Sequence, residues 1–107
     1  MKIIIKDEFS NDYISRQAGE RLRMMINNCL AKKEKCELDF KNMKVASVSF
    51  FDEAIAKLSE NTQKDQSPSS LSPLIIFIDL YEMDKNLLLQ LCEGRGLSID
   101  LTHFAQS

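Results

Sequence analysis

The chain has 107 residues, of which 44% are hydrophobic and 28% are charged. This is the size of one domain and the composition of an ordinary globular protein, which excludes a disordered chain. Fourteen basic against sixteen acidic residues give a net charge of −2, so no basic surplus is present for bulk binding of nucleic acid. No apolar stretch approaches the roughly 18 residues of a membrane span, and the first residues lack the plan of a signal peptide. We therefore expect one cytoplasmic domain over residues 1–107.

The cysteines and the histidine also limit the classes of site. There are three cysteines, Cys29, Cys36 and Cys92, with no CxxC pair, and a single histidine, His103. An odd cysteine count with one histidine argues against a disulfide scaffold and against a structural zinc site. We expect three buried, inert thiols, a surface histidine, and neither a metal nor a cofactor.

The first half of the chain predicts a strand, a long helix and a second strand. Residues 2–5 contain three consecutive isoleucines, which favours a strand. Ser15 is a good N-cap for a helix, in which Gly19 would permit close approach to a neighbour. Residues 36–40 predict the second strand. The helix is indicated by apolar residues at helical spacing, namely Ala18, Leu22, Met25, Ile26, Cys29 and Leu30.

The second half predicts two more helices and two more strands. A helix that begins at Ser47 or Ser49 would bury Phe51, Ala54, Ile55 and Leu58. Residues 59–73 are rich in serine and hold both prolines, which is typical of a surface loop. Residues 74–80 predict a strand buried on both faces, and Asp84 would cap a helix that stops at Gly94. Alternating apolar residues at 97–102 predict the last strand.

Strands that alternate with helices predict an α/β domain, with a mixed or mostly parallel sheet of about four strands and helices packed on it. Asp39 and Asp79 follow two of these strands, where open α/β sheets place their ligands. A magnesium-dependent enzyme would use such a pair. Two residues that cap loops or face water are the simpler interpretation, so we expect no catalytic activity.

Residues 45–53 run from a strand through a polar loop into a helix, and they are the most informative segment. A serine at this helix start can cap the helix, or its hydroxyl can accept a phosphate. We expect that adjacent Phe50 and Phe51 do not both face the core at a helix start, which would leave one of them at the surface as a contact residue. The alternative is that Ser49 only caps the helix and both rings are buried. Arg16, Arg23 and Asn27 share one face of the preceding helix, which is either solvated or able to take an anion.

The segments SRQAGERL (15–22) and CELDFKNMKVASVSFFDEAIAKL (36–58) resemble the STAS-like family of small bacterial domains. That family is related to the STAS domains of anti-sigma-factor antagonists. Such antagonists bind a histidine-kinase-type ATPase that is also an anti-sigma factor. This kinase phosphorylates a serine at the start of the helix after the Leu-Asp strand, and phosphorylation ends the binding. The resemblance places that serine at Ser49. Antagonists of this kind carry Asp-Ser-Ser-Gly here, whereas this chain has Ser47-Val48-Ser49-Phe50.

The resemblance therefore implies a STAS-like fold and a non-enzymatic regulatory module that binds a protein. The expected partner is a histidine-kinase-type ATPase or an anti-sigma factor. Ser49 would be the phosphorylated switch. An edge strand at residues 2–5 could also pair two copies of the chain. The alternative is a sensor that binds a nucleotide or another small ligand on the same face. The surface around the switch would be formed by Arg16, Asp39, Ser47, Phe50, Asp52 and Glu53.

Overall fold

The centre of the fold is a four-stranded sheet in the order β1-β2-β3-β4. The computed structural model describes residues 1–10, 15–61 and 71–106. Adjacent strands are parallel, with Ile3 opposite Leu38 and Leu38 opposite Phe77. The predicted α/β class is confirmed, although the described sheet is parallel throughout rather than mixed. The strands are β1 (Lys2–Ile4), β2 (Cys36–Asp39), β3 (Ile75–Ile78) and β4 (Phe104–Ala105).

Helices connect the parallel strands and pack on the sheet. A short helix α1 follows β1 directly, where the sequence predicted that the strand would continue through Ile5. In the described part of the chain, no helix is long and apolar enough to cross a membrane. The α-helices are α1 (Ile5–Glu8), α2 (Arg16–Ala31), α3 (Val48–Ala54) and α4 (Glu82–Gly94), and short 3₁₀ helices cover Ala56–Asn61 and Leu101–His103.

Helix α2 forms as its sequence predicts. The Ser15 side chain caps it by accepting a hydrogen bond from the Ala18 amide at 3.1 Å. Its apolar stripe faces the core, where Leu22, Ile26 and Cys29 are buried. The predicted close approach at Gly19 is also present, because a Cβ atom there would lie 2.7 Å from both the Glu53 Cβ and the Phe50 carbonyl oxygen. Glycine at this position therefore lets α2 and α3 touch.

Replacing Gly19 by alanine should destabilise the fold by about 1–3 kcal/mol, although alanine favours a helix by about 1 kcal/mol over glycine. The added methyl group would overlap a carbonyl oxygen, which cannot move without moving α3. Gly94→Ala is the matched control, since a Cβ there meets nothing within 4 Å. Urea unfolding of both variants measures the difference. Equal free energies of unfolding for the two would contradict the close packing.

The predicted last strand at residues 97–102 is wrong. The Asp100 side chain accepts a hydrogen bond from the Thr102 amide at 3.0 Å, and a 3₁₀ turn forms there instead. Such local side-chain bonds compete with strand pairing. Leu101 is consequently 73% exposed, and the sheet is completed by β4 two residues after Thr102.

His103 is buried, contrary to the prediction of a surface histidine. Its Nδ1 lies 2.7 Å from the Ile75 carbonyl oxygen, within hydrogen-bond distance. The parallel pairing of β4 with β3 brings this segment against the sheet.

Two predicted loops lie partly outside the described residues. These are residues 11–13 of the turn predicted at 9–13, and residues 62–70 of the serine-rich loop predicted at 59–73.

Candidate functional site

The loop from β2 to α3 enters the site at Asp39. The Asp39 carboxylate accepts a hydrogen bond from the Lys41 amide at 2.9 Å and lies 3.6 Å from the Lys2 ammonium. Asn42 and Ala46 have left-handed backbone angles, with φ of 61° and 48°. Such angles are unusual for alanine, so the loop needs support from its surroundings.

That support comes from Asp84, whose role sequence reasoning missed. Its buried carboxylate accepts hydrogen bonds from the Val45 amide at 2.7 Å and the Ala46 amide at 2.8 Å. The sequence predicted a helix cap, but α4 begins earlier, at Glu82. One signal was present: Asp84 precedes the buried Leu88 by four positions and therefore shares its inward face.

Ser47, and not Ser49, caps α3. The Ser47 side chain accepts a hydrogen bond from the Phe50 amide at 3.2 Å. Ser49 is the second residue of the helix and is half-buried. The interpretation of Ser49 as only a helix cap is therefore wrong, because that role belongs to Ser47.

Phe50 and Phe51 are both fully buried, so the prediction that one of them lies at the surface is wrong and the alternative that both rings are buried is confirmed. Helix α3 is covered on two sides. The Phe50 ring packs edge-on against Phe9 with 5.7 Å between centroids, and the Phe51 ring lies 6.0 Å from that of Phe40. The exposed apolar residue at the helix start is instead Val48, at 51%.

Asp52 belongs to an internal cluster of charges between α2, α3 and the turn after α4. The Arg95 guanidinium binds its carboxylate through two contacts, at 2.8 and 3.0 Å. Arg16 adds a longer contact, at 3.6 Å. The hydrogen bonds from Arg95 hold the pKa of Asp52 below its usual range. The α2–α3 ion cluster, as we name it, consists of Arg16, Arg23, Asp52, Glu53, Lys57 and Arg95.

Glu53 is held by three cations of this cluster. Its carboxylate lies 2.6 Å from the Lys57 ammonium, 2.9 Å from Arg16 and 3.2 Å from Arg23, which also donates to the Glu53 carbonyl oxygen. The hydrogen bond from Lys57, joined by those from the two arginines, lowers the pKa of Glu53 to about 2. Asp52 and Glu53 were expected on the surface around the switch. They lie beyond the first turn of α3 and are mostly covered.

The same cluster decides between the two interpretations of the arginine face on α2. Arg23 is only 16% exposed and binds Glu53, so the expectation of a solvated face does not hold for it. The Arg16 side chain is 56% exposed although it contacts both carboxylates. Arg16 is therefore the predicted site residue that joins the cluster to the surface.

An uncharged groove lies next to the start of α3. It is about 360 Å³ in volume and is lined by Ala46 of the β2–α3 loop and by one face of α4, namely Met83, Asn86, Leu87 and Gln90. Met83 is 50% exposed on this face, and Val48 follows Ala46 by two residues. Because Asp84 binds the Ala46 amide, it joins the two walls of the groove.

The other candidate groups from the sequence are the three cysteines and Asp79. All three cysteines are free and buried. Burial raises the pKa of Cys36 and of Cys92 to about 12, so both thiols are protonated at neutral pH. The Asp79 amide donates to the Ala105 carbonyl oxygen at 2.9 Å, in the pairing of β3 with β4. Within residues 1–10, 15–61 and 71–106, no three His, Cys, Asp or Glu side chains converge as a metal site would require.

The fold is a parallel sheet with helices packed on it, and a serine-capped helix follows the second strand. It belongs to the STAS-like class that the sequence predicted. Residues 18–85 match the family described as STAS-like domain of unknown function (DUF4325). The match covers more than half of the chain, and the chain belongs to that family. The match extends beyond residue 58, where the second of the two segments that carry the resemblance ends. No curated protein and no solved structure matches the chain.

Proposed function

We propose that this domain is a non-enzymatic regulatory module that binds a protein partner at the start of α3 and the adjoining face of α4. The observation that carries the proposal is the uncharged groove between Ala46 and one face of α4, with the exposed Met83 on its wall and the exposed Val48 two residues after Ala46. Exposed apolar residues grouped at a groove are typical of interaction sites. Following the STAS-like resemblance, the partner is a histidine-kinase-type ATPase or an anti-sigma factor.

The surface is suited to docking because its backbone is already held in place. Ser47 caps α3, and Asp84 fixes the loop that precedes it. A preorganised surface pays less entropy when it binds a partner. The Phe50 ring is bulky but fully buried, so it does not cover Ser49 at the surface.

Phosphorylation of Ser49 would act as the switch. A phosphate adds up to two negative charges at this edge of an apolar surface. Bringing such charges into an apolar contact costs desolvation energy, so the phosphorylated domain should release its partner. A nucleotide is a poorer candidate for the groove, because its five lining residues offer no positive charge to phosphates.

The test is capture of partners from native lysate by five baits: the wild type, Ser49→Ala, Ser49→Asp, Val48→Asp and Leu101→Asp. Leu101 is the control, since it is exposed but lies outside the proposed surface, in the 3₁₀ helix before β4. We expect a kinase-type ATPase to be held by the wild type, Ser49→Ala and Leu101→Asp. Ser49→Asp and Val48→Asp should weaken its binding at least about tenfold, or about 1.4 kcal/mol.

Equal capture by all five baits would contradict the proposed surface. Loss with Val48→Asp alone would keep the surface and remove the switch. Strand β1 lies at an edge of the described sheet, where two copies of the chain could pair. This self-association stays a prediction, and size-exclusion chromatography of the wild type would test it.

A further inference from the structure

Arg16 binds two carboxylates of α3 that follow Ser49 by three and four residues, those of Asp52 and Glu53. Its Nη1 atom lies 2.9 Å from a Glu53 carboxylate oxygen and 3.6 Å from an Asp52 carboxylate oxygen. A helix turns by about 100° per residue, so seen from Ser49 the Asp52 side chain points about 60° to one side and Glu53 about 40° to the other. A guanidinium that touches both carboxylates therefore lies over the line of Ser49, one turn further along the helix.

Arg16 is also the cation that the cluster can release. Asp52 keeps its paired contacts with Arg95, and Glu53 keeps Lys57 and Arg23. Arg16 is 56% exposed, while the side chains of those three are 30% exposed or less. A new anion near Ser49 can consequently bind Arg16 without leaving either carboxylate unpaired.

We propose that Arg16 is the receiver of a phosphate carried by Ser49. The inference rests on the proposed function, in which a kinase modifies this serine. In that step the Ser49 Oγ forms a bond to the γ-phosphorus of ATP, the bond from this phosphorus to the β-phosphate oxygen breaks, ADP leaves, and the hydroxyl proton passes to a base of the kinase. The guanidinium of Arg16 then turns from the carboxylates toward the phosphate and binds it through two N–H donors.

This arrangement makes the switch local. Phosphate oxygens placed beside two carboxylates alone would be repelled by like charge. When Arg16 of α2 binds the phosphate, the phosphate stays close to α2. The packing of α2 on α3 at Gly19 then remains in place. The change is then confined to the charge and shape of the surface around Ser49.

The experiment uses the full chain with phosphoserine incorporated at position 49 during translation, and follows its second ionisation by ³¹P NMR between pH 4.5 and 8. A neighbouring cation favours the doubly charged phosphate and lowers its pKa. At low salt we expect this pKa to be about half a unit higher in Arg16→Gln than in the unmutated phosphoprotein. Arg21→Gln is the matched control: Arg21 is equally exposed on α2 but binds Glu8, and its loss should leave the phosphate pKa unchanged.

An identical phosphate pKa with and without Arg16 would overturn the inference, and so would an equal shift in Arg21→Gln. Circular dichroism of each variant confirms that it is folded. The readout needs no partner, so it stands apart from the test of the proposed function. A phosphoprotein that shows the Arg16 effect but still binds its partner would contradict the switch and keep Arg16 as the receiver.

Discussion

Asp84→Ala should lower the free energy of unfolding by about 2–4 kcal/mol. The substitution leaves the Val45 and Ala46 amides without their acceptor, and Val45 is buried. A buried donor without a partner costs about 1–3 kcal/mol. The left-handed backbone of Ala46 adds strain that Asp84 offsets.

Urea unfolding measures this loss, and thermal unfolding should show a fall in Tm of about 10 °C or more. Asp100→Ala is the matched control. The Asp100 carboxylate also accepts a hydrogen bond from a backbone amide, but its side chain is 71% exposed, so its removal should cost less than about 1 kcal/mol. Similar losses in the two variants would show that Asp84 does not hold the loop.

Local signals predicted much of the architecture. The apolar stripe of α2 repeats over four turns behind a serine cap, β2 alternates apolar and acidic residues, and β3 is a short apolar run. In each of these elements the pattern lies within a few residues and burial follows from it directly. The α/β order and the STAS-like class could therefore be predicted before any contact was known.

Contacts between distant residues were beyond such signals. Asp84 binds amides 38 and 39 positions away, and Arg16 reaches Glu53 across 37 positions. Read alone, an acidic residue near a helix start indicates a cap, and an arginine on a helix indicates a solvated face. Tertiary structure gave both side chains other partners.

At the start of α3, the sequence pattern also failed to predict which side chains are buried, although the residues concerned are neighbours in the chain. Periodicity places Phe50 and Phe51 on different faces of a helix, which indicates that one is exposed if the helix has one buried face. Helix α3 has two, because Phe9 covers Phe50 and Phe40 covers Phe51. The place of Ser49 near the start of a helix could be predicted from the sequence, whereas the exposed Val48 and the groove on α4 could not.

Glu53→Gln should destabilise the domain by about 2 kcal/mol at pH 7, and the loss should shrink as the pH falls below about 4.5. Glu53 is a carboxylate whose pKa falls from the usual 4.5 to about 2 in the fold, mainly through the hydrogen bond from Lys57 and those from two arginines. A lowered pKa means that the stabilising effect is complete above the unfolded value of about 4.5. It is lost as pH falls from there toward about 2.

The measurement is urea unfolding of the wild type and of Glu53→Gln at several pH values between 7 and 3. The difference between them isolates Glu53 from Asp52, whose pKa is also lowered and whose contribution falls in acid as well. Glu20→Gln is the control, because the Glu20 side chain is 61% exposed and only 4.0 Å from Arg23, so it should change stability by less than about 0.5 kcal/mol. A difference for Glu53→Gln that stayed constant with pH would mean that the packing of its side chain, and not its charge, holds α3 against α2.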